Sequence, residues 1–390
     1  MDRAREMYSA RLCKTDFLKL RKKVDSSEKP LYKSINEINK ILLSYKKKCS
    51  QDGTLLLNGI DEDLKSSLYR FEHAADKYLL NSVKQTDAYK SVYEMYFEVN
   101  TFLSLCDIIN QSHRIYYDSI SDSLHLFCTD AKEYLKKRIS AVRACVMFSA
   151  TLSPMSYFCE VLGGGKDDYL MDIPSAFEKD NFKIVVDTSI HTDYKKRKMY
   201  YTEAAMRIHA AVISEKGNRL VFFPSYAYMQ SVYDEYTALY SDRDVLLQQR
   251  NLTEAQRADF IAQFTNENAL TAFVVTGGAF SEAIDLTGKR LIGCVVCGVS
   301  LPMVCMQREL IRENYEKEGK NGFEYAYVYP GMNKVLQAMG RVIRTYTDTG
   351  SAVLLDARFK NGAYQRCFPP HYSHRIYVNG QKELEKALGM

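Results

Sequence analysis

The sequence predicts an α/β protein in which a mostly parallel sheet, covered by helices on both faces, follows an all-α segment. From about residue 153, short apolar runs alternate with amphipathic helical stretches, which is typical of right-handed crossovers between parallel strands. Residues 1–109 instead carry apolar residues at helical spacing and a single proline, Pro30. A hydrophobic content of 46% with 26% charged residues indicates a soluble, globular chain of two or three domains.

The N-terminal segment is predicted to be helical because its apolar residues recur at intervals of three and four. They are Ile35, Ile38, Ile41 and Leu42, then Leu68, Phe71, Ala75, Tyr78 and Leu79. The pattern changes after residue 109. Residues 114–117 and 124–128 are typical of two strands joined by a Ser/Asp turn, with a short helix near 132–137 and a buried strand at 144–148.

The remaining chain predicts six strands and five helices in alternation. The strands are 183–186, 220–223, 245–247, 272–275, 291–296 and 352–355, and the helices are 203–214, 229–239, 254–264, 304–316 and 333–344.

Charge is unevenly placed along the chain. Residues 1–50 contain 14 Lys/Arg against 6 Asp/Glu, a local net charge of +8, whereas the whole chain carries +5. Such a segment can follow nucleic-acid phosphates, or it can be a solvated helix face, and the sequence leaves both open. Apolar runs are too short to span a membrane, and the N-terminus lacks the apolar stretch of a signal peptide. Ten cysteines without a dense framework favour a cytoplasmic protein.

One motif combines two arginines and a glutamine. Arg341 and Arg344 are three residues apart, near one face of the predicted helix 333–344, and Gln337 precedes Arg341 by four residues. Two guanidinium groups in this arrangement suit the oxygens of a nucleotide triphosphate, because they stabilise charge that develops on a γ-phosphate. The alternative is an amphipathic helix with a solvated basic edge.

Three further motifs precede this one. Residues 148–154 read Phe-Ser-Ala-Thr-Leu-Ser-Pro, residues 220–226 read Leu-Val-Phe-Phe-Pro-Ser-Tyr, and residues 277–285 read Gly-Gly-Ala-Phe-Ser-Glu-Ala-Ile-Asp. The order of the four motifs resembles that in the DinG/XPD-type superfamily 2 DNA helicases. The resemblance covers roughly residues 110–372 and includes the segments 356–359 and 369–372.

The resemblance implies a RecA-like fold of the P-loop NTPase type and three regions. Residues 1–109 would be a helical, arch-like insertion, 110–152 the C-terminal end of the first RecA-like lobe, and 153–390 the second lobe. It also implies that nucleotide binds in the cleft between two lobes, of which this chain supplies one wall.

The resemblance assigns catalytic residues. It directs Arg341 and Arg344 to the γ-phosphate, favours Arg344 as the arginine finger, and makes Gln337 a nearby polar contact. Asp285 would face the nucleotide, with Glu282 and Gly340 close by. The alternative for Asp285 is a cap on the turn before Thr287 and Gly288.

It also assigns a coupling motif, while the carboxyl edge of the predicted parallel sheet, where ligands bind in open α/β folds, suits a DNA track. Ser149, Ala150 and Thr151 would couple nucleotide state to strand movement, although Ser153-Pro154 could simply begin a helix. Four residues that follow predicted strands would contact single-stranded DNA. Hydroxyl and backbone groups would donate hydrogen bonds to phosphates, and the tyrosine would stack on a base. They are Ser225, Tyr226, Gly278 and Ser281. Ala283 stands where the family often has glycine.

No Gly-x-x-x-x-Gly-Lys-Ser/Thr phosphate loop occurs in the sequence. Asp61-Glu62-Asp63 mimics a magnesium-binding motif, but without a phosphate loop it is interpreted as an acidic loop. The resemblance implies that the phosphate loop, the Mg²⁺ carboxylates and most of the first lobe precede residue 1, so the chain alone would not hydrolyse ATP. An iron–sulfur cluster, if the protein has one, would also lie there. Cys294-x-x-Cys297 falls inside a strand, where side chains three apart point to opposite faces, so no metal site is predicted.

The sequence thus favours the C-terminal portion of an ATP-dependent DNA helicase, acting in DNA repair with 5′ to 3′ polarity by family resemblance. Its partners would be ATP, Mg²⁺, single-stranded or forked DNA and the N-terminal lobe, with no membrane. The alternative is a catalytically decayed, helicase-like module that binds nucleic acid. An unrelated α/β enzyme would require the ordered motifs to be a coincidence.

Overall fold

The computed structural model describes residues 2–84, 86–241, 245–277 and 286–390. They form two compact units. The first unit comprises residues 1–145, 160–166 and 309–319, and the second comprises residues 146–159, 167–308 and 320–390. Two helices, α7 (Met155–Val161) and α11 (Met306–Lys317), have residues in both units.

The first unit packs helices against a four-stranded antiparallel sheet. Its elements are α1 (Asp2–Met7), β1 (Ala10–Cys13), α2 (Lys14–Lys23), α3 (Lys29–Lys47), β2 (Thr54–Leu57), α4 (Glu62–Asn81), α5 (Asp87–Cys106), β3 (His113–Asp118), β4 (Ser123–Cys128) and α6 (Lys132–Ile139). The strand order is β1-β4-β3-β2. The predicted helical periodicity is confirmed, since Ile35, Ile38, Leu68 and Phe71 are fully buried in one core between the helices and the sheet.

The prediction that residues 1–109 are all-α is wrong, because β1 and β2 lie within them. Leu12 pairs with Leu124, and Leu55 pairs with Tyr117, so both short strands extend the hairpin β3–β4. Each strand is four residues long and is held by partners distant in sequence, which local periodicity does not reveal. The assignment of residues 1–109 and 110–152 to an arch and a first lobe stays a prediction.

The predicted strand at 144–148 is not formed. These residues are irregular and exposed, with Val146 at 83% and Phe148 at 90% exposure. A β-strand exists only through hydrogen bonds to a neighbouring strand, and none of the described strands pairs with this segment.

The second unit is built on a seven-stranded sheet in which every observed pairing is parallel. The strands are β5 (Phe182–Asp187), β6 (Arg219–Phe223), β7 (Val245–Leu247), β8 (Thr271–Val275), β9 (Gly293–Cys297), β10 (Gly350–Leu355) and β11 (Ile376–Val378), in the order β11-β5-β10-β9-β6-β8-β7. The helices are α8 (Tyr201–Ile213), α9 (Tyr226–Leu239), α10 (Glu254–Ala262), α12 (Tyr329–Met339), α13 (Gly362–Gln365) and α14 (Gln381–Leu388). All six predicted strands are confirmed within a few residues. The sequence did not predict β11 or α14.

Helices cover both faces of this sheet, as the sequence predicts. Alternate strand residues such as Ile184 and Phe222 pack with α10, α12 and α13 on one face. Their neighbours Val185 and Val221 pack with α8, α9 and α14 on the other face. The alternation also separates Cys294 from Cys297, which belong to opposite cores, as predicted for two residues three apart on a strand.

Candidate functional site

The carboxyl edge of the parallel sheet, where all seven strands end, brings predicted motif segments together. Phe223 at the end of β6 pairs with Val275 at the end of β8, so the segments after both strands leave the sheet side by side. The Thr276 backbone N–H donates to the Phe223 carbonyl at 2.8 Å and joins the two segments directly. Ligands bind at this edge in open α/β sheets.

Ser225 begins the helix α9 at this edge. Its hydroxyl oxygen accepts a hydrogen bond from the Tyr228 backbone N–H at 3.3 Å, so the side chain caps the helix. A serine hydroxyl that accepts one bond can still donate its own proton. The capping role and a phosphate contact are therefore compatible.

Tyr226 is half-buried beside a residue that sequence analysis missed. The Arg250 guanidinium lies 5.0 Å from the centre of the Tyr226 ring, and Gln248 donates to the tyrosine hydroxyl at 2.9 Å. Gln248 also accepts from the Val275 backbone N–H at 2.8 Å, which ties the group to β8. Arg250 is exposed, so one edge of the sheet presents an aromatic ring with a guanidinium over it. The sequence offered no signal for this pair, because 24 positions separate the two residues.

Gly278, Ser281, Glu282 and Asp285 lie outside the described residues, so their predicted contacts to DNA and nucleotide stay predictions.

A cavity of about 800 Å³ in the second unit unites the predicted coupling motif with the C-terminal arginine motif. Ser149, Ala150 and Thr151 form part of its wall, and Gly340 and Arg344 form another part. The Ser149 hydroxyl accepts from the Thr151 backbone N–H at 3.2 Å and folds the small motif back on itself. Residues about 190 positions apart in the sequence thus share one cavity.

The arginines do not lie on one helix face, which corrects the sequence prediction. The helix α12 ends at Met339, with Gly340 as its cap, and Arg341 and Arg344 follow in turns and irregular chain. Glycine is a weak helix former, and the β-branched side chains of Val342 and Ile343 pack into the core instead of continuing the helix. The turn separates the arginines, since Arg341 is 8% exposed and Arg344 is exposed. Gln337, in the last turns of α12, is half-buried.

The carboxylate of Asp348 fixes the backbone around Arg344. It accepts hydrogen bonds from the Arg344 N–H at 2.8 Å, from the Thr345 N–H at 2.7 Å and from the Thr345 hydroxyl at 2.7 Å. Burial alone would raise the pKa of this carboxyl, but the hydrogen bonds from Thr345 and from the backbone amides bring its pKa below the ordinary value. Asp348 is therefore ionised and holds the loop that carries Arg344.

Several basic groups for which the sequence predicts no role line the same cavity: Lys179, Arg366, His371 and His374. The Nε2 of His374 donates to the Phe182 carbonyl at 2.8 Å. Burial lowers the pKa of His371, so its imidazole favours the neutral form. Lysine and arginine side chains, such as Lys179 and Arg366, are groups that bind phosphate or carboxylate oxygens.

Metal ligands are not assembled in the described part of the chain. No group of three or more His, Cys, Asp or Glu side chains there could hold a metal ion, and all ten cysteines are free thiols. Among the described residues, no helix is both long and apolar enough to cross a lipid bilayer.

Comparison with known proteins agrees with this arrangement. Residues 208–375 match the family described as helicase C-terminal domain. The chain is 22% identical over 369 residues to the ATP-dependent DNA helicase CHL1 of Vanderwaltozyma polyspora, with 85% of this chain and 43% of that protein covered. It is 26% identical to the ATP-dependent DNA helicase DinG of Photobacterium profundum (58% and 33% covered) and 25% identical to the ATP-dependent DNA helicase XPD of Sulfolobus acidocaldarius (55% and 39% covered).

Solved structures show the same fold. An XPD apo structure superposes with a TM-score of 0.60 at 17% identity and covers 96% of this chain and 74% of the other. The Xpd4 structure of S. tokodaii gives a TM-score of 0.61 at 15% identity, with 96% and 73% covered.

The parallel sheet and the motif segments at its carboxyl edge define a RecA-like helicase C-terminal domain. With its relatives, this makes the chain similar to the C-terminal region of DinG/XPD-type superfamily 2 helicases. The chain spans less than half the length of the curated relatives it matches.

Proposed function

We propose that this chain is the C-terminal portion of an ATP-dependent DNA helicase and supplies its arginine finger, Arg344. The observation that carries the proposal is the cavity that Arg344 shares with Ser149 and Thr151. It joins the arginine motif to the motif that would couple nucleotide state to strand movement. Relatives named as ATP-dependent DNA helicases support the same reaction class.

Arg344 acts by charge. ATP and Mg²⁺ would be bound mostly by an N-terminal lobe of the same protein, which contributes the phosphate loop. Arg344 is exposed on a loop held by Asp348, so its guanidinium can reach a γ-phosphate outside the second unit without reorganising that loop. An arginine finger contributes about 10³ to 10⁵ in rate.

Gln337, Gly340 and Arg341 complete this proposed nucleotide wall. Arg341 is buried directly after the helix α12. It would support the loop that carries Arg344, and it would face the phosphates from the protein side of that loop. Glu282 and Asp285 are proposed as further nucleotide contacts.

The carboxyl edge of the sheet is proposed as part of the single-stranded DNA track. The Ser225 hydroxyl would donate to a phosphate, and Tyr226 would stack a base, with Arg250 neutralising a neighbouring phosphate. Gly278 and Ser281 would contribute further backbone contacts. The direction of movement, 5′ to 3′, is taken from the family resemblance. Ser149, Ala150 and Thr151 would pass the nucleotide state to this track.

A decayed motor is the second candidate, because the 390 residues contain no phosphate loop. Such a protein would bind nucleic acid and serve in recruitment. The exposed arginine on an ordered loop argues against it, since a protein without ATP hydrolysis has no use for a finger.

The test compares ATP hydrolysis, with and without single-stranded DNA, for the full native reading frame and for this chain. We expect DNA-stimulated turnover from the long form alone, and a loss of about 10³-fold or more in Arg344→Ala with DNA binding largely retained. Arg257→Ala, an exposed arginine of α10 that does not line the cavity, is the matched control and should keep most of its turnover. Full turnover by Arg344→Ala would eliminate the finger role. No turnover by either wild-type form, with DNA bound by both, would favour the decayed motor.

A further inference from the structure

The basic N-terminal segment folds into a lysine-lined groove on the first unit. A shallow groove of about 430 Å³ runs along the first half of α3 and contains Lys29, Lys33 and Lys40, together with the half-buried ring of Tyr32. All three lysines are exposed. They succeed one another along the helix at axial steps of about 6 Å and about 10 Å, because a helix rises about 1.5 Å per residue.

The positive charge of this groove is not neutralised from within. Across the described ranges 2–84 and 86–241, the three lysines have no ion-pair partner. Glu37 is the single acidic side chain on the described groove wall, and its carboxylate is already held by Arg70 through Nε at 3.1 Å and Nη2 at 2.9 Å. The groove therefore presents three uncompensated ammonium groups.

The helix itself strengthens this field. The first turn of α3 begins with Lys29 and has no acidic residue, so the positive end of the helix dipole lies beside this lysine, with Glu28 at the N-cap position. A lysine at this position costs stability, and the same placement raises the positive potential at the groove.

We propose that this groove binds the phosphate backbone of DNA, an inference that rests on the proposed helicase function. Lysine ammonium groups are compact point charges that pair with successive phosphates. Tyr32 offers a ring on which a base of a single strand can stack, which favours single-stranded over duplex DNA.

The experiment measures binding of a labelled oligothymidine strand, and of a duplex of equal length, as salt rises from about 50 to about 200 mM. The full chain is compared with the triple variant Lys29→Gln, Lys33→Gln, Lys40→Gln. The matched control is Lys77→Gln, Lys84→Gln, Lys90→Gln, which removes the same charge from exposed lysines of α4, α5 and the segment between them. Thermal unfolding of each variant verifies that the fold is kept.

We expect the groove variant to lose about tenfold or more in affinity at low salt, and its salt slope for the single strand to fall by about 2, or about 0.7 per lysine. The control should lose clearly less. A loss confined to the single strand supports stacking on Tyr32, and an equal loss on both DNAs supports phosphate binding alone. Equal losses of DNA affinity in the groove variant and the control would overturn the proposal. Poly-glutamate serves as a second probe. If the groove variant loses poly-glutamate binding while its DNA binding is unchanged, the groove binds an acidic protein and the proposal is overturned. A wild-type chain that binds no DNA would count against the groove and the DNA track together, whereas an unaffected groove variant leaves the track standing.

Discussion

A single carboxylate, Asp348, fixes the backbone at Arg344. It accepts three hydrogen bonds, from the backbone N–H groups of Arg344 and Thr345 and from the Thr345 hydroxyl. Because these bonds favour the ionised form and outweigh the effect of burial, the pKa of Asp348 lies below its ordinary value. The ionised carboxylate therefore holds the backbone of this loop at neutral pH.

We expect Asp348→Asn to lower the free energy of unfolding by about 1–3 kcal/mol at pH 7, since the N–H groups of Arg344 and Thr345 lose a charged acceptor. The pKa of Asp348 is lower in the folded state, so the ionised carboxylate stabilises the fold above the unfolded-state pKa of about 3.9. That stabilisation disappears as pH falls through the folded-state pKa. Urea unfolding at neutral and acidic pH tests this, with the exposed Asp180→Asn as control. A difference from wild type that is equally large at both pH values would exclude the linkage.

Residue spacing predicted that the arginine motif exists but misplaced its side chains. A spacing of three residues between Arg341 and Arg344 implies a shared helix face only while the helix continues. The helix ends before Arg341 because Val342 and Ile343 are drawn into the core and Asp348 binds the following amides. Both causes are tertiary. Sequence patterns therefore find the residues of such a site more readily than its geometry.

At the scale of elements, the helix α12 lies unusually close to the end of β9. A Cβ atom added at Gly331 would lie 2.7 Å from the Val299 carbonyl oxygen and 3.2 Å from the Leu301 Cα. Both neighbours are backbone atoms, which cannot rotate away. Gly331 therefore sets the distance between this helix and the carboxyl edge of the sheet, and the arginine loop follows directly at the end of α12.

We expect Gly331→Ala to destabilise the second unit by about 1–3 kcal/mol, although alanine is the better helix former by about 1 kcal/mol. Gly362→Ala is the matched control, because its added Cβ would meet only the flexible end of Arg366 at 3.5 Å. That variant should be neutral or more stable by up to about 1 kcal/mol. Chemical denaturation of both variants distinguishes the two effects. If Gly331→Ala proved as stable as wild type, close backbone contact would not set the position of α12.

The parallel sheet was more predictable than the antiparallel one, for a physical reason. Strands such as β6 and β9 are buried on both faces and give continuous apolar runs that need no partner to be recognised. β1 and β2 are short and depend on pairing with β4 and β3. For residues 144–148 the prediction fails in the opposite way. These residues have the apolar composition of a strand, but no described strand pairs with them. Local composition predicts the propensity of a segment to form a strand, but hydrogen bonding to a neighbouring strand decides whether the strand forms.

At the scale of the whole chain, the second unit extends beyond the residues that match the helicase C-terminal family, which end at 375. β11 pairs with β5 at one end of the sheet, and α14 packs Leu384 and Leu388 into the core. A buried polar link adds to this. The fully buried Asp187 accepts from Arg207 at 2.9 Å, and Arg207 in turn donates to Gln381 at 2.7 Å.

We expect a chain that ends at residue 375 to unfold at much lower denaturant concentration, because β5 becomes an exposed edge and Arg207 loses Gln381. Leu384→Ala separates the apolar part of this effect and should cost about 2–5 kcal/mol. Ile376→Ala is the control, since 45% of that side chain is already exposed and its truncation should cost much less. Urea unfolding followed by circular dichroism measures all three. Because the arginine loop joins α12 to β10, the strand next to β5, unfolding from this edge would also release Arg344. If the shortened chain unfolds at the same urea concentration as the full chain, residues 376–390 are dispensable to the sheet and the family match alone delimits the folding unit.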